Sequence, residues 1–143
     1  MKKITAIVLL MMTICHLMLF QSCKKDDPIP ETERVKSILK ANTWRMQAVS
    51  VDGTDQTQVY AGLTLTFTDT NYSTTNGGVV WPATGTWVFA DQTGKLITRS
   101  DGLAITVEEA TTTTLSLKLT WANTTLGGRA SSVAGVHVFV FGK

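Results

Sequence analysis

The sequence predicts an all-β protein of about eight antiparallel strands in a meander barrel, preceded by a short helix. Three observations lead there. Between Trp44 and Phe141, apolar residues recur at every second position in short runs, the period of a half-buried strand. Turn residues separate the runs, at Asp52-Gly53, Asp69-Thr70, Asp91-Gln92-Thr93-Gly94 and Asp101-Gly102. The positions between the apolar ones are rich in threonine, whose β-branched side chain suits a pleated, solvated face.

The chain opens differently. Lys2 and Lys3 precede an apolar run from Ile4 to Phe20, and Gln21, Ser22 and Cys23 follow at once. A cationic start, an apolar stretch and a small residue at its end form the layout of a secretory signal. The run falls slightly short of the roughly 20 apolar residues of a membrane span, and Thr5, Thr13 and His16 interrupt it. Residues 1–22 are therefore expected to be removed as a signal peptide.

Leu19-Phe20-Gln21-Ser22-Cys23 resembles the lipobox of bacterial lipoproteins. The resemblance implies a lipid on the Cys23 sulfur, cleavage before Cys23 and acylation of the new amine. Lys24-Lys25-Asp26-Asp27 resembles the export signal of surface lipoproteins in the Bacteroidetes group. That likeness implies an outer-membrane anchor with the protein on the cell surface; the alternative is the periplasmic face of the same membrane.

Residues 23–31 read as a tether, stiffened by Pro28-Ile29-Pro30. Residues 32–143 read as one domain, long enough for a real core and too short for two. Lys2 and Lys3 account for the excess of 13 Lys and Arg over 11 Asp and Glu. The chain after Cys23 is thus balanced in charge, with no basic patch and no expected nucleic-acid partner. Cys15 leaves with the signal and Cys23 carries lipid, so no disulfide is expected. With His137 the remaining histidine, no Cys/His metal site and no cofactor are expected.

In the domain, Val35, Ile38 and Leu39 have helical spacing over Thr32 to Ala41, with Thr32 as the expected N-cap. Strand runs follow. Trp44, Met46 and Ala48 alternate with Arg45, Gln47 and Val49; then come Leu63 to Phe67, Asn71 to Thr75 and Gly85 to Phe89. Lys95 to Thr98, Leu103 to Val107, Leu115 to Trp121 and Gly135 to Phe141 complete the set. Short links between them predict pairing in chain order. Asn123 to Ser132 is the least patterned stretch, a loop before the final strand.

The helix, a first strand opening on Trp44, and the pieces Leu63-Thr64-Leu65-Thr66-Phe67, Gly85-Thr86-Trp87 and Thr114-Leu115-Ser116-Leu117 resemble the lipocalin-like domains of bacterial lipoproteins. The lipocalin pattern has glycine two before that tryptophan, where this chain has Asn42. It also has an arginine over the tryptophan from the last strand, where this chain offers Lys143. The likeness implies a barrel that holds a small apolar or amphipathic ligand.

Catalysis has little to work with. His137 stands on a valine-rich strand and reads as a strand-surface or core-edge residue. Glu108 and Glu109 are adjacent, so on a strand they would point to opposite faces and could not share one substrate. No enzyme is expected. Trp44, Trp87 and Trp121 read first as barrel core. Trp81 lies in Gly77-Gly78-Val79-Val80-Trp81-Pro82, where it could stack on a sugar, close a cavity mouth or plug one end. The candidate ligand-binding set is Trp44, Tyr72, Trp81 and Trp87. The function expected is binding of a small apolar or amphipathic ligand; the alternatives are a surface module for glycans or proteins and a structural partner in an envelope complex.

Overall fold

The computed structural model describes residues 28–123 and 132–143. Residues 1–22, expected as a signal peptide, Cys23 and the Lys24–Asp27 run lie outside the described residues. A helix, α1 (Glu31–Ala41), leads into nine strands: β1 (Thr43–Val51), β2 (Thr54–Asp55), β3 (Thr64–Phe67), β4 (Asn71–Thr75), β5 (Thr84–Phe89), β6 (Leu96–Arg99), β7 (Ala104–Ala110), β8 (Thr114–Trp121) and β9 (Gly135–Gly142). The strands pair antiparallel in chain order, and β1 also pairs with β9, from Arg45↔Gly142 to Val51↔His137. That pairing closes an eight-strand meander barrel, and closure removes the exposed edges of an open sheet. The short β2 folds back on the end of β1 through Asp52 and Gly53, both at positive φ, the backbone of a tight two-residue hairpin.

The alternation sets what lies inside. Leu65, Phe67, Tyr72, Trp87, Ile97, Ile105, Leu115, Leu117, Phe139 and Phe141 are all buried, and they share one core with the helix residues Val35 and Leu39. Threonines line the outer wall, and some bond across strands, as Thr64 to Thr75 at 2.6 Å and Thr66 to Thr43 at 3.3 Å.

Two bulges break the simple period. Between Met46 and Ala48 the register of β1 against β9 shifts. Ala48, placed with the inward set by plain alternation, is therefore exposed, and Val49 is buried in its stead. The extra residue, Gln47, lies over Gly142, where a side chain would collide with it. A second bulge between Val107 and Glu109 in β7 turns Glu108 and Glu109 both outward. The expectation that they point to opposite faces is corrected by that inserted residue. Glu108 pairs with Lys118 at 3.2 Å on the neighbouring strand.

The helix closes one end of the barrel. It begins at Glu31, with Pro30 in the cap position and no side-chain cap. Thr32 is thus inside the first turn rather than the N-cap, because Pro30 stands at the cap and its carbonyl accepts from Arg34 N–H at 3.1 Å. Val35 and Leu39, one turn apart, are its buried residues. At the far end, the Trp44 indole N–H donates to Leu39 O at 2.9 Å, which satisfies one of the carbonyls a helix C-terminus leaves free. Gly94, at φ +69, lets the β5–β6 turn run against Val35. Lys40 and Lys36 reach Asp69 on the β3–β4 turn at 2.5 and 3.8 Å; at that exposure the pairs orient the helix more than they stabilise it.

Candidate functional site

The end opposite the helix carries the chemistry. It is closed by two segments between strands. A 3-10 turn (Thr57–Tyr60) follows β2 and buries Tyr60. The β4–β5 connection folds inward and buries Val80 and Trp81, which are 0% and 1% exposed. Trp81 N–H donates to Gly77 O at 3.0 Å, and Thr74 Oγ1 donates to the carbonyls of Trp81 and Pro82 at 3.1 and 3.0 Å.

Beneath these plugs runs a row of rings on β9. His137 stacks on Phe139 with centroids 5.6 Å apart, and Phe139 on Phe141 at 6.1 Å. Tyr60 and Trp81 meet Phe139 edge-on at 5.1 and 5.8 Å, a favourable geometry for aromatic pairs.

Arg99 is the charged member. On β6 it alternates in phase with Ile97, so it points inward, and it is 2% exposed. Its guanidinium donates from Nε to Asp101 Oδ1 at 3.2 Å, from Nη2 to Asp101 Oδ2, and from Nη1 to Val80 O at 2.6 Å. Its centre lies 5.7 Å from the Tyr72 ring and 5.3 Å from the Trp81 ring, within cation–π range. The Arg99 hydrogen bonds hold the Asp101 carboxyl below its ordinary range, against the opposing effect of its partial burial.

His137 is the second titratable group inside. It is fully buried, which corrects the reading of a strand-surface or core-edge residue; in phase with Phe139 and Phe141 on β9 it points inward, and the 3-10 turn lays Tyr60 against it. Nδ1 faces Gly135 O at 3.1 Å, an acceptor, so Nδ1 carries the proton and Nε2 accepts from the Tyr60 hydroxyl at 2.8 Å. Val133 N–H donates in turn to that hydroxyl. Burial lowers the His137 pKa, outweighing the Gly135 carbonyl and the Asp52 carboxylate, which both raise it. Burial likewise raises that of Tyr60.

The folded state favours neutral imidazole, so the unfolded chain binds the proton more readily. Stability from this group is full above the ordinary histidine range, about 6.5, and declines as pH falls through and below it. Urea titrations at pH 7.5 and 5.5 are expected to give a lower midpoint at the acid pH. His137→Phe should flatten that difference; an equal slope in the variant would assign it to other groups.

The four candidate ligand-binding aromatics are all inside. Trp44 is at the helix end, 0% exposed. Trp87 is 2% exposed and donates from its indole to Thr68 O and Asn71 O, both at 3.2 Å. Tyr72 is on β4 and is 3% exposed. Its ring lies across Gly85 on β5, where a Cβ would stand 2.6 Å from it; the bare glycine makes the space. Tyr72 and Trp81 come together edge-on at 6.0 Å, while Trp44 belongs to the other end. Neither Trp81 nor Tyr72 is presented on the surface for a sugar to stack on. Trp121 is partly buried on β8, and its Nε1, like that of Trp81, is buried without a hydrogen-bond partner among the described residues.

Sequence reasoning missed Arg99, Asp101 as its partner, and Tyr60. The signal for Arg99 was present: Ile97 and Arg99 share a face by period two, and a charge on a core face marks a built site. Tyr60 carries no such signal, since it lies in a 3-10 turn between strands.

Two depressions among the described residues lie on the outer wall, and two smaller ones lie beside α1, against the β5–β6 turn and by Lys36 and Asp69. One of about 410 Å³ is lined by Thr68, Asn71, Ser73, Thr84 and Thr86 over Gly85, and one of about 240 Å³ by Ala48, Ser50, Val138 and Val140 near β2. Among the described residues no cluster of His, Cys, Asp or Glu could hold a metal ion, and no helix is long and apolar enough to cross a membrane. No family model, curated protein or solved structure matches the chain.

Proposed function

We propose that the protein is a lipoprotein of the outer membrane, lipidated on Cys23 and carried to the cell surface by Lys24-Lys25-Asp26-Asp27, whose lipocalin-like barrel binds rather than catalyses. The reading the geometry supports best is a surface module that meets a protein or glycan through its outer wall. One observation carries it: the barrel is filled by its own side chains and closed at both ends, while the two largest open grooves lie on the outer wall, one beside Thr68, Ser73, Thr84 and Thr86 and the other beside Ala48, Val138 and Val140. His137, with both ring nitrogens engaged, offers no free base. The stretch from Cys23 to Glu31 reaches at most about 30 Å when extended. The end closed by α1 therefore faces the membrane, and the Trp81 end faces away from it.

Metabolic labelling with an alkyne fatty acid tests the anchor. The wild type should take the label and be shaved by protease from intact cells, and Cys23→Ala should do neither. A label retained without Cys23, or a barrel resistant to protease on intact cells, refutes the anchor or the surface face respectively. A photo-crosslinking residue at Thr84, in the wall groove, should capture a partner; silence there and at Val138 would remove the outward-contact reading.

A second reading, a small apolar or amphipathic ligand inside the barrel, is favoured by one feature: the charged Arg99 under the Trp81 plug.

A further inference from the structure

We propose that the Trp81 indole is a removable occupant of a site for a planar aromatic carboxylate, with Arg99 as the anchor for the carboxylate. The inference deepens the inside-ligand reading and rests on it; it is independent of the anchor and of the outer wall.

The first support is a mismatch of donors and acceptors. A guanidinium has five N–H groups. Those of Arg99 find Asp101 twice and Val80 O once, and no described residue accepts from the remaining ones. Asp101 itself sits on a rim turn with its side chain 47% exposed, so the carboxylate that pairs with Arg99 reaches it from the rim and not from the barrel interior. A buried cation with spare donors in an apolar chamber is complementary to an entering carboxylate.

The second support is the plug. The Trp81 indole N–H is buried without an acceptor among the described residues, which weakens the closed state relative to one with that donor satisfied. The segment that carries it lies outside the strand ladder, and Asn76 and Gly78 at its head both have positive φ, 54 and 62. A few bonds hold it: Trp81 backbone N–H to Gly77 O, Thr74 Oγ1 to Trp81 O and Pro82 O, and Arg99 to Val80 O. Swinging the indole out would give its N–H to water.

The slot left behind defines the ligand. Its walls are the Tyr72 and Phe139 rings, which meet the indole edge-on, and the Arg99 face. A flat ring entering there would keep each of those contacts. Below, Leu115, Leu117, Phe139 and Phe141 are 0% exposed and fill the barrel. The site is thus one bicyclic ring deep, too short for a long acyl chain.

The test uses the full chain in detergent, with 2-naphthoate as probe and uncharged 2-naphthamide as control. Closure by the plug lowers apparent affinity by the fraction open, so Trp81→Ala should bind 2-naphthoate at least about tenfold more tightly than wild type. Adding Arg99→Met should weaken 2-naphthoate about tenfold and leave 2-naphthamide unchanged. Equal affinity for the two probes overturns the anchor, and no tightening in Trp81→Ala overturns the plug. If that variant does not fold, Thr74→Val loosens the segment without emptying the slot and should tighten binding in the same sense. Absence of saturable 2-naphthoate binding to folded Thr74→Val overturns the proposal, whatever the labelling of Cys23 or the wall crosslinks report.

Discussion

Replacing Phe139 with alanine is expected to lower the unfolding free energy by about 3–5 kcal/mol, the cost of truncating a fully buried aromatic ring. Phe139 is 0% exposed and touches Tyr60, Trp81, His137 and Phe141. Losing it empties the centre of the row to which both plugs of the far end attach. The loss should therefore be cooperative, with the Tyr60 and Trp81 segments loosening together. In a thermal melt the midpoint should drop by on the order of 15 °C. A drop of a degree or two would mean that neighbouring rings collapse into the space, and the filled-barrel description would then be wrong in its central detail.

The second large effect is at the other end. Trp44→Ala should cost about 3–5 kcal/mol as well, through a different failure. The indole is 0% exposed and its N–H holds Leu39 O, the last buried turn of α1. Trp44→Phe separates the two contributions. It keeps most of the buried ring and leaves the Leu39 carbonyl unbonded, for an expected loss of about 1–3 kcal/mol. Amide hydrogen exchange should show α1 released first in both variants, ahead of β1. Uniform exchange across helix and barrel would show that the helix is part of one cooperative unit and not a docked lid.

The alternation of Leu63, Leu65 and Phe67, and of Leu115, Leu117 and Leu119, made the barrel legible because a strand side chain has only two directions to point. The Asp52-Gly53 turn was legible for a similar reason, since few residues accept the positive φ that a tight hairpin requires. The site was less so. Arg99 could have been found from its phase with Ile97, but its meaning depends on Trp81, which lies eighteen positions back and arrives only when the β4–β5 segment folds in. Ala48, Glu108 and Glu109 went astray because a bulge adds one residue to one strand, and only the partner strand reveals it.

The order of residues by itself determined the strand content, the helix that precedes the strands and the pairing of neighbours, because each rests on local periodicity and turn chemistry. Whether the barrel is hollow or full was decided by the tertiary structure alone. The same alternating pattern serves either interior, and the choice depends on how Tyr60, Trp81, Arg99 and His137, far apart in the chain, converge when β9 closes against β1.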